Sequence, residues 1–285
     1  MNTILKWAGN KTAIMAQLRA HLPEGQRLVE PFAGSGAVMM NTDYPAYLLA
    51  DINPDLINFY RVVRDQCDWL IQVGSGLFAE PVSAETYYAI REEFNVSQAL
   101  TPPWRAAYFL YLNRHGYRGL CRYNRNGRFN VPYGNYRAPY FPEAELRAFA
   151  VKTQRALLVC ANYAETLSML QVGDVVYCDP PYHGTFSQYH NGGFSEIDQC
   201  QLAGVLRRRV EQGYSVVVSN SDTPLIRSLY RDFICHTIMV GRRIGYWPDS
   251  VRQAREVIAV SQVPRWLGVD WGRWRDHDVP ELIWL

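Results

Sequence analysis

The chain has 285 residues, 48% of them hydrophobic and 20% charged, with a formal net charge of +2. That length and composition describe one globular domain, or one domain with a substantial insertion, and exclude a low-complexity or disordered chain. No apolar run approaches the ~20 residues of a membrane-spanning helix, and Met1 to Lys6 carries no signal-peptide core, so a cytoplasmic protein without membrane contact is expected. The six cysteines are scattered without a C-x-x-C pair, and the six histidines lack ligand spacing. Neither a disulfide framework nor a metal site is expected.

Leu5 to Lys11 sets two lysines and Trp7 around a turn before a helix, a pattern equally readable as a core Trp with surface lysines. Arg27 to Phe32 reads as a short strand running into Gly34-Ser35-Gly36, with a helix from Ala37. Tyr47 to Ala50 is a second buried strand, ending at Asp51. This is a strand, turn, helix, strand unit of the nucleotide-binding kind. From about Pro54 to Leu112 the pattern is helical, with Leu56, Phe59, Tyr60 and Val63 on one stripe and a further helix started by Pro102-Pro103. Asn126-Gly127 then signals a hairpin turn between Arg122 and Val131. A helix through Leu146 and Phe149 leads to a strand at Ala156 to Cys160, and another strand covers Asp174 to Cys178. Ser195 to Gln212 is an amphipathic helix. Ser215 to Ser219, Phe233 to Val240 and Glu256 to Val260 supply the remaining strands. Strands alternating with helices imply a mostly parallel sheet covered on both faces. The helical, basic block interrupts that alternation and is the natural second domain.

Two features carry chemistry. The strand at Asp174 to Cys178 ends in Asp179-Pro180-Pro181-Tyr182, where the prolines cannot continue a ladder and the chain must leave the sheet. The turn holds a carboxylate, the Pro180 carbonyl and an aromatic ring together: two acceptors for the hydrogens of an exocyclic amino group and a face for its ring. Alone, the tetrapeptide reads equally as a strand-ending turn with a capping Asp. The second feature lies between Asn113 and Pro142, where there are six arginines (114, 118, 122, 125, 128, 137) and no acidic residue, interleaved with tyrosines and phenylalanines. Positive charge with aromatic faces is the footprint of a phosphate-gripping, base-reading surface, and ordinary solvated basic loops are seldom this aromatic.

The turn from Phe32 to Gly36 lets backbone approach a ligand where a Cβ would collide. It is neither a P-loop nor G-x-G-x-x-G, which disfavours a dinucleotide. Asp51, closing the next strand, can accept both hydroxyls of a ribose. An adenosine-containing ligand with no phosphate requirement fits best, and S-adenosylmethionine is such a ligand. With it, the Asp179 turn becomes a methyl-transfer site.

From Ile4 to Val260 the chain closely resembles the Dam-type (D12 class, alpha group) DNA adenine-N6 methyltransferases that act on 5′-GATC. The blocks are Leu5-Lys-Trp-Ala-Gly9, Glu30-Pro-Phe-Ala-Gly-Ser-Gly36, Ala50-Asp-Ile-Asn53, Tyr111-Leu-Asn-Arg-His-Gly-Tyr117, Gly119-Leu-Cys-Arg-Tyr-Asn124, Phe129-Asn-Val-Pro132, Tyr140-Phe-Pro-Glu143 and Tyr177-Cys-Asp-Pro-Pro-Tyr182. The resemblance implies a seven-stranded, mostly parallel Rossmann-like sheet with an inserted helical DNA-recognition domain carrying a β-hairpin. Residues 1–56 and 145–263 would form the S-adenosylmethionine-binding catalytic domain and residues 57–144 the recognition domain. Residues 264–285 would be a Trp-rich tail to which no role is assigned.

By the same resemblance, Asp179, Pro180 and Tyr182 are catalytic. Trp7, Lys11, Phe32, Gly34, Gly36, Asp51 and Asp179 contact S-adenosylmethionine. Lys6, Tyr117, Arg118, Leu120, Arg122, Asn130, Pro132 and Arg137 meet double-stranded DNA, with Tyr117 as a wedge in the base stack and Arg122 reading a guanine. Departures are Asn10 in place of a second glycine, Arg118 where some relatives have Asn, a shorter loop after Tyr182, and the segment from Arg242 to Asp249. An Asn at 179 would have favoured glutamine-amide chemistry. A monomer is expected.

Overall fold

The computed structural model describes residues 3–97, 99–184, 193–243 and 251–262. The tail 264–285, most of the loop after Tyr182 and most of the segment 242–249 lie outside the described residues.

The first strand, β1 (Arg27–Glu30), is flanked by β2 (Ala46–Asp51) and β4 (Asp174–Cys178), both parallel to it. One ion pair helps set the register. Arg27 donates from Nε and Nη2 to the two carboxylate oxygens of Asp174 at 3.0 and 2.7 Å, and these are the first residues paired between β1 and β4. A bidentate pair of this kind gives direction as well as attraction. β3 (Ala156–Cys160) adds to β2, and β5 (Ser215–Ser221) adds to β4, again in parallel. β6 (Phe233–Arg243) and β7 (Val251–Ser261) complete a seven-stranded sheet among the described residues, in the order β3-β2-β1-β4-β5-β7-β6.

The sheet is therefore mixed, which corrects the expected mostly parallel one: β7 runs antiparallel to both β5 and β6. The reason is connection length. Residues 244–250 are fewer than the dozen or so that a parallel crossover requires, so the chain returns beside β6 in the opposite direction.

The helices follow their sequence signals. After the short helices α1 (Met15–Arg19) and α2 (Ala37–Asn41), Asn53 caps α3 (Pro54–Asp65), accepting from the N–H groups of Asp55 and Leu56, and Pro54 occupies the first turn. Then come α4 (Cys67–Ala79), α5 (Ala84–Val96) and α6 (Pro102–His115), the last again opening on prolines. One continuous core joins them to the sheet: Leu56, Phe59, Tyr60, Phe109 and Leu110 share it with Leu28, Leu49 and Tyr177, and Phe149 of α7 (Glu143–Lys152) closes it. The opposite face is covered by α8 (Tyr163–Ser168), which contributes Leu167, and by α9 (Glu196–Glu211), whose Leu202 and Leu206 pack with Val216, Val218 and Ile226. No helix among the described residues is long and apolar enough to cross a membrane.

Candidate active site

β1 and β4 are neighbours, yet β1 leads to β2 and β3 on one side while β4 leads to β5 on the other. At such a reversal the loops leave in opposite directions and open a crevice at the carboxyl ends of the strands. A cavity of about 720 Å³ lies there, lined by Trp7, Lys11, Phe32, Gly34, Asp51, Asp179, Pro180 and Tyr182. That volume is within the range of small-molecule sites.

The glycine turn is held from several sides. Gly34 has φ +47°, and a Cβ there would stand 3.0 Å from Trp7 Nε1, so the ring of Trp7 occupies the space a side chain would need. The Gly34 N–H donates to Asp51 Oδ2 at 3.1 Å, the Asn53 N–H donates to Asp51 Oδ1 at 3.0 Å, and the Tyr60 hydroxyl donates to the Gly34 carbonyl. Asp51 thus locks the turn as well as lining the cavity. Gly36 is outside the lining. Its φ of +67° and its approach to Phe149 make it a packing position.

Asp179 is where charge concentrates. Lys11, buried, sets Nζ 2.6 Å from Asp179 Oδ2, donates to the Gly9 carbonyl at 2.5 Å and lies 4.8 Å from the centre of the Tyr182 ring. Asp179 Oδ1 is buried without a hydrogen-bond partner. Burial raises the pKa of Asp179, the Lys11 ammonium opposes that rise, and the nearby Glu256 carboxylate adds to it.

Some cavity residues had no role in the sequence reading. Glu30, ending β1, is 2% exposed, leaves Oε1 unpartnered, and burial pushes its carboxyl up to about 8. Its signal was a charge closing a buried strand. Glu256 of β7 lines the cavity and accepts the Tyr182 hydroxyl at 3.1 Å. Phe32 stacks on Tyr163 at 5.8 Å, and Phe194 meets both rings edge-on. Nothing local in the sequence marked these last contacts, which join distant segments.

The residues expected at DNA stand apart from this cavity. Lys6 lines a second cleft of about 410 Å³ with Arg114 and Arg118, and that cleft shares Trp7, Ala8 and Asn10 with the first. Lys6 Nζ donates to the Arg114 carbonyl at 3.3 Å and lies 3.9 Å over the Tyr136 ring. Burial and the Arg114 charge lower its pKa. Tyr117 is exposed, with the Arg118 guanidinium 5.2 Å from its ring centre. Arg118 adopts φ +55°, a left-handed position that costs a non-glycine residue about 1 kcal/mol, and the Tyr136 hydroxyl accepts from its N–H at 2.9 Å.

Arg122 and Asn130 face each other. Arg122 Nε donates to Asn130 Oδ1 at 2.8 Å, and the Asn130 N–H donates to the Arg122 carbonyl at 3.0 Å. Leu120 packs against the core, while Pro132 and Arg137 are exposed. The hairpin turn forms at Asn124 to Gly127, but its arms meet at isolated bridges (Tyr123 with Phe129, Gly116 with Tyr133) in place of a ladder.

A family model of D12 class N6 adenine-specific DNA methyltransferases matches residues 7–244. The chain is 61% identical over 270 residues to the retron Ec67 DNA adenine methylase of Escherichia coli, covering 95% of each chain. It is 45% identical over 264 residues to the DNA adenine methylase of Salmonella typhi and 45% identical over 262 residues to that of Escherichia coli K12, covering 90% of this chain and 94% of each relative. The acidic turn that lines the cavity thus sits in a chain that is, from end to end of that match, a member of the D12 class of adenine-specific DNA methyltransferases.

Proposed function

We propose that this enzyme transfers the methyl group of S-adenosylmethionine to N6 of an adenine in 5′-GATC of duplex DNA. The observation that carries the reading is Asp179: one carboxylate oxygen is neutralised by Lys11, and the other is buried without a partner at the cavity that Tyr182 also lines. An unmet buried acceptor costs free energy unless a donor arrives, and an adenine amino group is such a donor. The names of the relatives, DNA adenine methylases, agree with it.

The cavity fits the cofactor by its acceptors and apolar faces. Asp51 suits a ribose diol, the unpartnered Glu30 and Asp179 oxygens suit ammonium or amino groups, and Trp7 and Phe32 offer apolar faces. When bound, S-adenosylmethionine supplies an electrophilic methyl group. Trp7, Lys11, Phe32, Gly34, Gly36 and Asp51 hold it; Gly36 acts by shaping the turn.

In duplex DNA the amino group lies within the stack, so the base must be turned out at a cost of a few kcal/mol. Tyr117 takes the vacated space, and Tyr182 stacks on the extruded ring. Asp179 and the Pro180 carbonyl accept the two N6 hydrogens, which turns the nitrogen lone pair out of ring conjugation. Asp179 and Pro180 act by alignment and electrostatics, and the Asp179 carboxylate takes the proton that N6 gives up as it gains the methyl group. In this division residues 57–144 read the DNA, and residues 1–56 with 145–263 bind the cofactor. Arg122 reads a guanine, Lys6 the first guanine, and Arg118, Asn130 and Arg137 the backbone, while Leu120 and Pro132 shape the groove. The enzyme works as a monomer in the cytoplasm.

The test is transfer of labelled methyl groups to two duplexes differing only at GATC. Label on the N6 of adenine in the GATC duplex is expected; equal labelling of both duplexes, or label elsewhere, would refute the specificity.

A further inference from the structure

Glu256 stands opposite Ser221 of β5 and Ile238 of β6. Because β7 runs antiparallel, this position falls at the carboxyl margin of the parallel strands, where Asp179 leaves β4. Glu256 is 6% exposed, lines the cavity, and takes the Tyr182 hydroxyl on Oε2 at 3.1 Å. A carboxylate so placed is costly to bury and adds an unhelpful like charge near Asp179, so packing alone does not account for it. What it holds does.

The backbone around Tyr182 is already pinned. Gln199 Nε2 donates to the Pro181 carbonyl at 2.8 Å, the His183 N–H donates to Asn220 Oδ1 at 3.0 Å, and Asn220 Nδ2 donates to Gln199 Oε1 at 3.0 Å. Gln199 and Asn220 are both fully buried. With the backbone fixed, the orientation of the Tyr182 ring rests on its side-chain torsions, and burial keeps its hydroxyl a donor by raising its pKa. An anchor at the far end fixes the direction of the ring axis, and because a phenol O–H lies in the plane of its ring, the position of the acceptor also favours one ring plane.

We propose that Glu256 is a positioning residue for adenine methylation, holding the Tyr182 hydroxyl so that the ring presents a fixed face to the target base. This rests on the reading of Tyr182 as the surface on which the base stacks.

The test compares E256A, E256Q, Y182F, Y182A and the E256A/Y182F double variant by single-turnover methylation of a GATC duplex, each at the plateau of its own pH profile. Extrusion is followed in parallel by the fluorescence of 2-aminopurine at the target position. E256A and Y182F are each expected to slow methylation about tenfold and to lower the extruded-base signal, with the KM for duplex unchanged. E256Q keeps an acceptor and is expected to recover most of the rate. The double variant is expected to be no slower than Y182F, because Y182F already removes the contact that E256A removes. A double variant slowed by the product of the singles, or a wild-type rate in Y182F, overturns the proposal even where E256A fails to fold. Y182A separates the two readings. If Y182A is slow while Y182F and E256A are normal, the role of Glu256 alone fails; if Y182A is normal, the stacking role of Tyr182 fails with it.

Discussion

Lys11 meets Asp179 at 2.6 Å, and this contact opposes what burial does to the carboxyl. Lys11→Met would remove that opposition and raise the Asp179 pKa further. If the reaction needs the carboxylate, the acid limb of the kcat/KM profile moves to higher pH in the variant; an unmoved limb would contradict the role. Glu30 gives a stability test. Its carboxyl is pushed from 4.5 to about 8 in the folded chain, so the folded state keeps a proton that the unfolded state releases. The contribution to stability is full below about 4.5, declines as pH rises, and is lost above about 8. The cofactor-free wild type should therefore lose stability relative to Glu30→Gln across that window in a urea series, and parallel curves would refute it. These residues also show what a sequence reveals. Asp51 and Asp179 were legible because each ends a buried strand, where an acidic residue is conspicuous. Glu30 does so too, but its block was read for its glycines.

Among elements, α5 clamps the hairpin that bears Arg122. Asn95 accepts from the Phe129 N–H at 2.7 Å and donates to its carbonyl at 3.0 Å, while Tyr87 and Arg91 both donate to the Val131 carbonyl. Asn95→Ala should cost about 1–3 kcal/mol in chemical denaturation by leaving backbone groups unmet, and discrimination between sites should weaken with it. Undiminished stability would show that the clamp is replaceable. Arg122→Ala should relax selection at one guanine by roughly 1–3 kcal/mol in a methylation-protection assay, and an unchanged site preference would remove Arg122 from the reading set. Helix starts at Pro54 and Pro102 were plain from proline and its neighbours. The hairpin was less so. Asn126-Gly127 marked the turn, but not the Asn124 carboxamide that accepts from the N–H groups of Asn126 and Arg128, nor the isolated bridges that stand in for a ladder.

At the scale of the molecule, the reversal between β1 and β4 gathers the glycine turn, Asp51 and Asp179, and this much followed from strand ends alone. The direction of β7 did not, because alternation of side chains is the same for a strand run either way. Its antiparallel course brings Glu256 to the cavity from far along the chain, a contact no local pattern encodes. Asp179→Ala, assayed for single-turnover methyl transfer to a GATC duplex and for affinity toward that duplex, tests most directly whether Asp179 is the acceptor that prepares the adenine nitrogen. We predict transfer lowered by about a thousandfold or more with duplex affinity retained. Transfer at the wild-type rate without that carboxylate would contradict the account.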